Sequence, residues 1–73
     1  MEFQANQYHV VWNEEHRKWV LKSDKNDVWI RSSFYKSWAI RKGAKYCKEN
    51  RNPCQLIIHT KDGHEEEVRH YHK

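Results

Sequence analysis

Six histidines and two cysteines are the residues of this chain best suited to chemistry: His9, His16, His59, His64, His70, His72, Cys47 and Cys54. Imidazole and thiolate are common zinc ligands, but a zinc site needs three or four of them converging tetrahedrally. Cys47, Cys54 and His59 have no recognised zinc spacing. His70 and His72 share one face of a strand, but at the end of the chain, where adventitious metal binding is the simplest expectation. A cysteine beside a histidine is also the pair for nucleophilic catalysis. Cys47, however, falls on the buried face of its helix, where a thiol is usually inert. Glu65, Glu66 and Glu67 read as a solvated edge, and two glycines form no phosphate-cradling loop. No catalytic residue, metal, cofactor or small-molecule substrate is therefore inferred.

The second chemistry is that of cations. Between Lys36 and Arg51 stand six basic residues and one acid, Glu49. At 100° per residue, the stretch from Ser37 to Asn50 gathers Ala39, Gly43, Tyr46, Cys47 and Asn50 on one helix face, with Ile40 at its edge. Trp38 points the other way, among Arg41, Lys42 and Lys45. The expected site is thus an exposed strip of Trp38, Arg41, Lys42, Lys45 and Lys48, which Arg31 or Arg51 would extend. A tryptophan ringed by cations describes a protein-interface hot spot, for an acidic partner or a second copy of the chain. It also describes a nucleic-acid surface, where phosphates meet the cations and a base stacks on the indole. No motif of a named nucleic-acid module accompanies it. The plainer alternative is a solvated helix face whose Trp38 packs against Phe34 or another loop. The four acids between Asp62 and Glu67 make another part of the molecule negative, which suits an anionic partner for the strip or head-to-tail self-association.

Seventy-three residues with a net charge of +4 make one domain, 1–73, near the lower limit for a single core. Residues 1–6 and 72–73 are expected to fray. Ten aromatic residues exceed what so small an interior hides, which points to surface or interface rings and makes a homodimer a candidate state. No secretion signal and no apolar run of membrane-spanning length is visible, so the expectation is a cytoplasmic protein, without membrane contact, whose two cysteines read most simply as reduced thiols, a bridge across so short a loop being the geometrically conceivable alternative.

The elements that position these residues follow from periodicity. Gln7–Trp12 and Arg17–Lys22 alternate as two strands of a hairpin around Asn13–His16, with Tyr8, Val10 and Trp12 facing the same side as Trp19 and Leu21. Val28–Ser32 reads as a third, short strand. A helix runs from Tyr35 or Lys36 to Asn50, with Ser32, Ser33 or Ser37 as its cap, and Pro53 prevents its continuation. Gln55–Thr60 and His64–Tyr71 form a second hairpin around Lys61-Asp62-Gly63, the last strand at an edge with Val68 and Tyr71 packed. The fold class is α+β: a small antiparallel sheet of four or five strands, order ββ(β)αββ, with one helix packed on one face. The helix stripe Ala39-Gly43-Cys47 is small, and Gly43 costs the helix about 1 kcal/mol against alanine, so close approach to the sheet is its expected role.

These pieces resemble the short bacterial and archaeal proteins grouped as domain of unknown function 2188. The resemblance rests on Tyr8-His9-Val10-Val11 with Asn13, Trp19-Val20-Leu21-Lys22, Ala39-Ile40, Leu56-Ile57-Ile58-His59, Asp62-Gly63 and Tyr71, covering nearly the whole chain. Trp12 stands where a proline is usual in that family, Gly43 lies among the small helix residues, and glutamates follow the final turn where an apolar residue is common. The resemblance implies a small α+β domain and brings no known activity or catalytic residue.

Overall fold

The computed structural model describes residues 6–24, 29–49 and 53–71. Five strands and one helix follow one another as β1 (Asn6–Asn13), β2 (Lys18–Ser23), β3 (Trp29–Ser33), α1 (Lys36–Glu49), β4 (Cys54–His59) and β5 (Glu65–Tyr71). The short third strand exists, one residue later than its apolar start suggests, and Val28 lies outside the described residues. Asn6, expected to fray, begins β1 because its N–H donates to the Pro53 carbonyl at 3.0 Å and it pairs with Cys54.

The strands form one sheet in the order β3-β2-β1-β4-β5. It is mixed, which corrects the expected all-antiparallel sheet: β1 and β4 are parallel, while β1/β2, β2/β3 and β4/β5 are antiparallel. The reason is the third strand. A three-stranded meander leaves β3 running with β1, and a helix that returns the chain across the face starts β4 in that same direction. Wherever it then adds to β1, the pair must be parallel, through a crossover connection. Without β3, the same chain would have made an antiparallel pair.

Local chemistry closes the hairpins. The Asn13 side-chain oxygen accepts the His16 N–H at 2.7 Å, and Arg17 takes the left-handed conformation (φ 54°) that completes the first turn. Gly63 does the same for the second turn at φ 92°, a conformation glycine adopts without steric cost. The Ser33 hydroxyl accepts the Tyr35 N–H at 3.0 Å, ordering the step from β3 into α1. Both edge strands carry irregular pairing: the register shifts at Leu21/Lys22 against β3 and at Ile58/His59 against β5. Bulged edges resist pairing with a further strand, and Glu65, Glu66 and Glu67 add charge to one of them.

One face of the sheet carries the core. Val10, Trp19, Leu21, Leu56 and Ile58 meet Ala39, Gly43 and Cys47 of α1, with Tyr8, Trp12, Tyr46 and Tyr71 around them. The small helix stripe does lie against large side chains: a Cβ on Gly43 would come within 2.6 Å of Leu56 Cδ1. Tyr71 packs as expected, but Val68 does not. It pairs with Ile57 on the opposite face and is 40% exposed. Residues three apart on a strand point to opposite sides, so both could not be inside.

Cys47 and Cys54 are joined in a disulfide, against the expected pair of reduced thiols. Both side chains are buried, and their Cα atoms are 5.3 Å apart, within the usual range for a bridge. Helix periodicity turns Cys47 inward and strand alternation turns Cys54 inward, and only six residues separate them in sequence, so the two thiols meet between α1 and β4. The bridge also removes Cys47 as a nucleophile.

Candidate interaction surface

The basic helix strip is only partly as expected. Arg41, Lys45 and Lys48 are exposed, whereas Lys42 and Trp38 are half-buried. Trp38 is therefore no free-standing hot spot: the Lys42 ammonium sits 5.1 Å from its ring centroid. This gives the indole a partner within its field of cations, since an ammonium is attracted to the face of an aromatic ring.

α1 gains a partner from β3. Arg31 opposes Leu21 in the sheet and so shares the helix side; its guanidinium lies 5.8 Å from the Tyr46 ring centroid, with Nη1 donating to the Ile30 carbonyl at 2.8 Å. Arg31, Lys42, Lys45, Tyr46 and Glu49 together line a shallow cleft of about 230 Å³. Three cations thus share one concavity with a single acid. Arg31 joins the strip as its sequence extension, while Arg51 lies outside the described residues. Tyr46 was placed on the inner face by helix periodicity; it reaches the cleft because it stands on the flank, between Tyr8 (ring centroids 6.2 Å apart) and Arg31. Where β3 passes into α1, at the other end of the helix from most of the cleft lining, Phe34 and Tyr35 are 68% and 73% exposed. The Lys18 ammonium lies 4.9 Å from the Phe34 ring centroid.

Charge is divided across the molecule. The cleft lies at the β3 side of the sheet, and β5, with three exposed glutamates, is the other edge. One of these, Glu66, pairs with Lys36 at the start of α1. In the β4–β5 turn, the Asp62 carboxyl is held below the usual carboxylate range, first by the Thr60 hydroxyl and then by His64.

The histidines fall into separate places. His16 meets the edge of Trp29, His64 pairs with Asp62 at 3.1 Å, and His70 lies near the Gln55 amide. His9 and His59 meet on the sheet face opposite α1, at 3.0 Å. Among the described residues, no three histidine, cysteine or carboxylate groups converge as metal ligands. The His9–His59 contact was not legible in the sequence: alternation puts both residues on the outer face, but only the parallel β1/β4 register makes them diagonal neighbours. No helix among the described residues is long and apolar enough to cross a membrane.

Comparisons of the chain with protein-family models, with curated proteins and with solved structures find no match.

Proposed function

We propose that this protein is a non-enzymatic binding module that docks an acidic protein surface on the α1/β3 cleft. The observation that carries the reading is the convergence of Arg31, Lys42 and Lys45 about Tyr46, with exposed Arg41 and Lys48 widening the same positive face. A concave site with one aromatic wall and several cations suits a carboxylate-rich segment, whose charges steer it in and whose apolar groups pack on the rings. A second copy of the chain offers such a segment in its Glu65–Glu67 edge, so homo-oligomerisation belongs to the same proposal. Kinship with domain of unknown function 2188 is proposed on the motifs given above and adds no activity. A cytoplasmic site of action is part of the reading, and the Cys47–Cys54 bridge counts against it, since a reducing milieu keeps thiols reduced.

A second reading, nucleic-acid binding, is favoured by exposed Phe34 and Tyr35 at the start of α1, with Lys18 at the Phe34 ring, since exposed rings with a cation at hand suit stacking with unpaired bases. Fluorescence anisotropy separates the two. A labelled glutamate-rich peptide and a labelled single-stranded oligonucleotide are titrated at two salt concentrations, with light scattering on the same samples. The proposal expects saturable peptide binding that Lys45→Glu weakens about fivefold, from about 1 kcal/mol for reversing one exposed charge. Oligonucleotide binding with a steep salt dependence, and no peptide binding, would establish the second reading. Peptide binding that Lys45→Glu and Trp38→Ala both leave unchanged would remove the site from this surface.

A further inference from the structure

The sheet face opposite α1 carries a hydrogen-bonded chain that crosses three elements. Asp24, at the end of β2, meets His9 of β1 through Nε2 at 3.0 Å. His9 Nδ1 meets His59 Nε2 of β4 at 3.0 Å, and His59 Nδ1 meets the Gly63 carbonyl of the β4–β5 turn at 3.4 Å. The ring centroids are 5.3 Å apart. This exceeds the N–N distance by about the two centre-to-nitrogen radii of the rings, so the nitrogens point at each other, as in a linear hydrogen bond. The chain borders a cavity of about 260 Å³, lined also by Val11, Lys22 and Ser23.

Protons can be counted along this chain. Three contacts need three protons, and two neutral imidazoles carry two. The Asp24 carboxylate accepts from His9 Nε2–H, leaving His9 Nδ1 as an acceptor. His59 Nε2–H then donates to it, and His59 Nδ1 is left without a proton, its lone pair facing the Gly63 carbonyl. One added proton, on His59 Nδ1, completes the chain, with its charge offset by Asp24. A second added proton would set N–H against N–H between the rings, so it is refused.

We infer that His9 and His59 bind one proton as a unit, forming a pH-sensitive clasp between the end of β2 and the β4–β5 turn. Among the described residues, the groups facing the pair are Lys22, opposite His9 on β2, which opposes the proton, and Asp24 and Glu65, the latter opposite His59 on β5, which favour it. Ile57 and Val68 fill the adjacent row without charge. In the turn, Asp62 and His64 are paired with each other.

The sign of the linkage follows from proton numbers. In the unfolded chain the two histidines carry two protons below about pH 6 and none above about pH 7. The folded pair takes up one at most, because a second would set N–H against N–H. On the acid side the unfolded chain therefore binds more protons, and stability rises with pH there.

The test is a pH titration of the histidine ring nitrogens by NMR on the intact, oxidised protein, with His16 and His70 as internal references and Asp24→Asn and His59→Gln as variants. The expected result is a shared midpoint for His9 and His59 and a combined uptake of one proton. Either variant abolishes the sharing while the near-ultraviolet circular dichroism stays native. Two separate titrations that each take up a full proton, with the His9 curve unchanged by His59→Gln, would overturn the inference. If His59→Gln does not fold, the same readout on Asp24→Asn decides.

Discussion

Replacing Gly43 by alanine sets two effects of known sign against each other. Alanine favours the helix by about 1 kcal/mol, through lower backbone entropy in the unfolded chain. Its methyl group, however, would lie 2.6 Å from Leu56 Cδ1, 3.1 Å from Leu21 Cδ1 and 3.2 Å from Leu56 Cδ2. These are ends of leucine side chains, which elsewhere could swing aside. Here both leucines are fully buried in one cluster with Val10, Trp19, Ala39, Cys47 and Ile58, so any rotation displaces another packed group or lifts α1. Overpacking of this kind costs about 1–3 kcal/mol, and full burial puts it in the upper half. The net expectation for Gly43→Ala is a loss of about 1–2 kcal/mol, or a fall in melting temperature of about 6–13 °C in a domain of this size. Thermal and urea unfolding of the oxidised protein, followed by tryptophan fluorescence, measures it. A double-mutant cycle with Leu56→Ala locates the cause: the truncation should cost less in the Gly43→Ala background, where the added methyl fills part of the space, with a coupling of about 1 kcal/mol or more. A rise in melting temperature for Gly43→Ala, or a coupling near zero, would refute close packing as the reason for glycine.

The Cys47–Cys54 bridge spans seven positions, for which loop-closure entropy gives about 2.5 kcal/mol; reductant should lower stability by that amount, and a Cys47→Ala/Cys54→Ala variant should be indifferent to reductant. Thiol counting by mass spectrometry before and after reduction checks the bridge itself. Because the Asp62 carboxyl is depressed in the folded protein, its contribution is present above the ordinary carboxylate range and lost as pH falls through its folded value. Asp62→Asn should therefore lower stability in the neutral region and flatten the acid limb, the two curves converging at low pH; an identical acid limb in both proteins would contradict this. Lys45→Glu, at an exposed helix position, should change unfolding stability by no more than about 0.5 kcal/mol, so that a loss of binding in that variant is not a loss of fold.

Periodicity alone located the helix to within a residue or so, its buried stripe Ala39-Gly43-Cys47, the inward set Tyr8, Val10, Trp12, Trp19 and Leu21, and the glutamate-rich edge. Each follows from which side of a single element a residue occupies, and that is fixed by 3.6 or 2 residues per repeat. What separates elements was not legible in the same way. The parallel β1/β4 pair depends on whether Trp29–Ser33 forms a strand, because one more strand reverses the direction in which the next begins. The disulfide, the Arg31–Tyr46 cleft and the Asp24–His9–His59 chain each join elements whose neighbourhood is set by sheet order and register. Sequence decided which faces were sticky, charged or small; the tertiary structure decided which of those faces meet, since strand order and direction are properties of the assembled sheet and of no single strand.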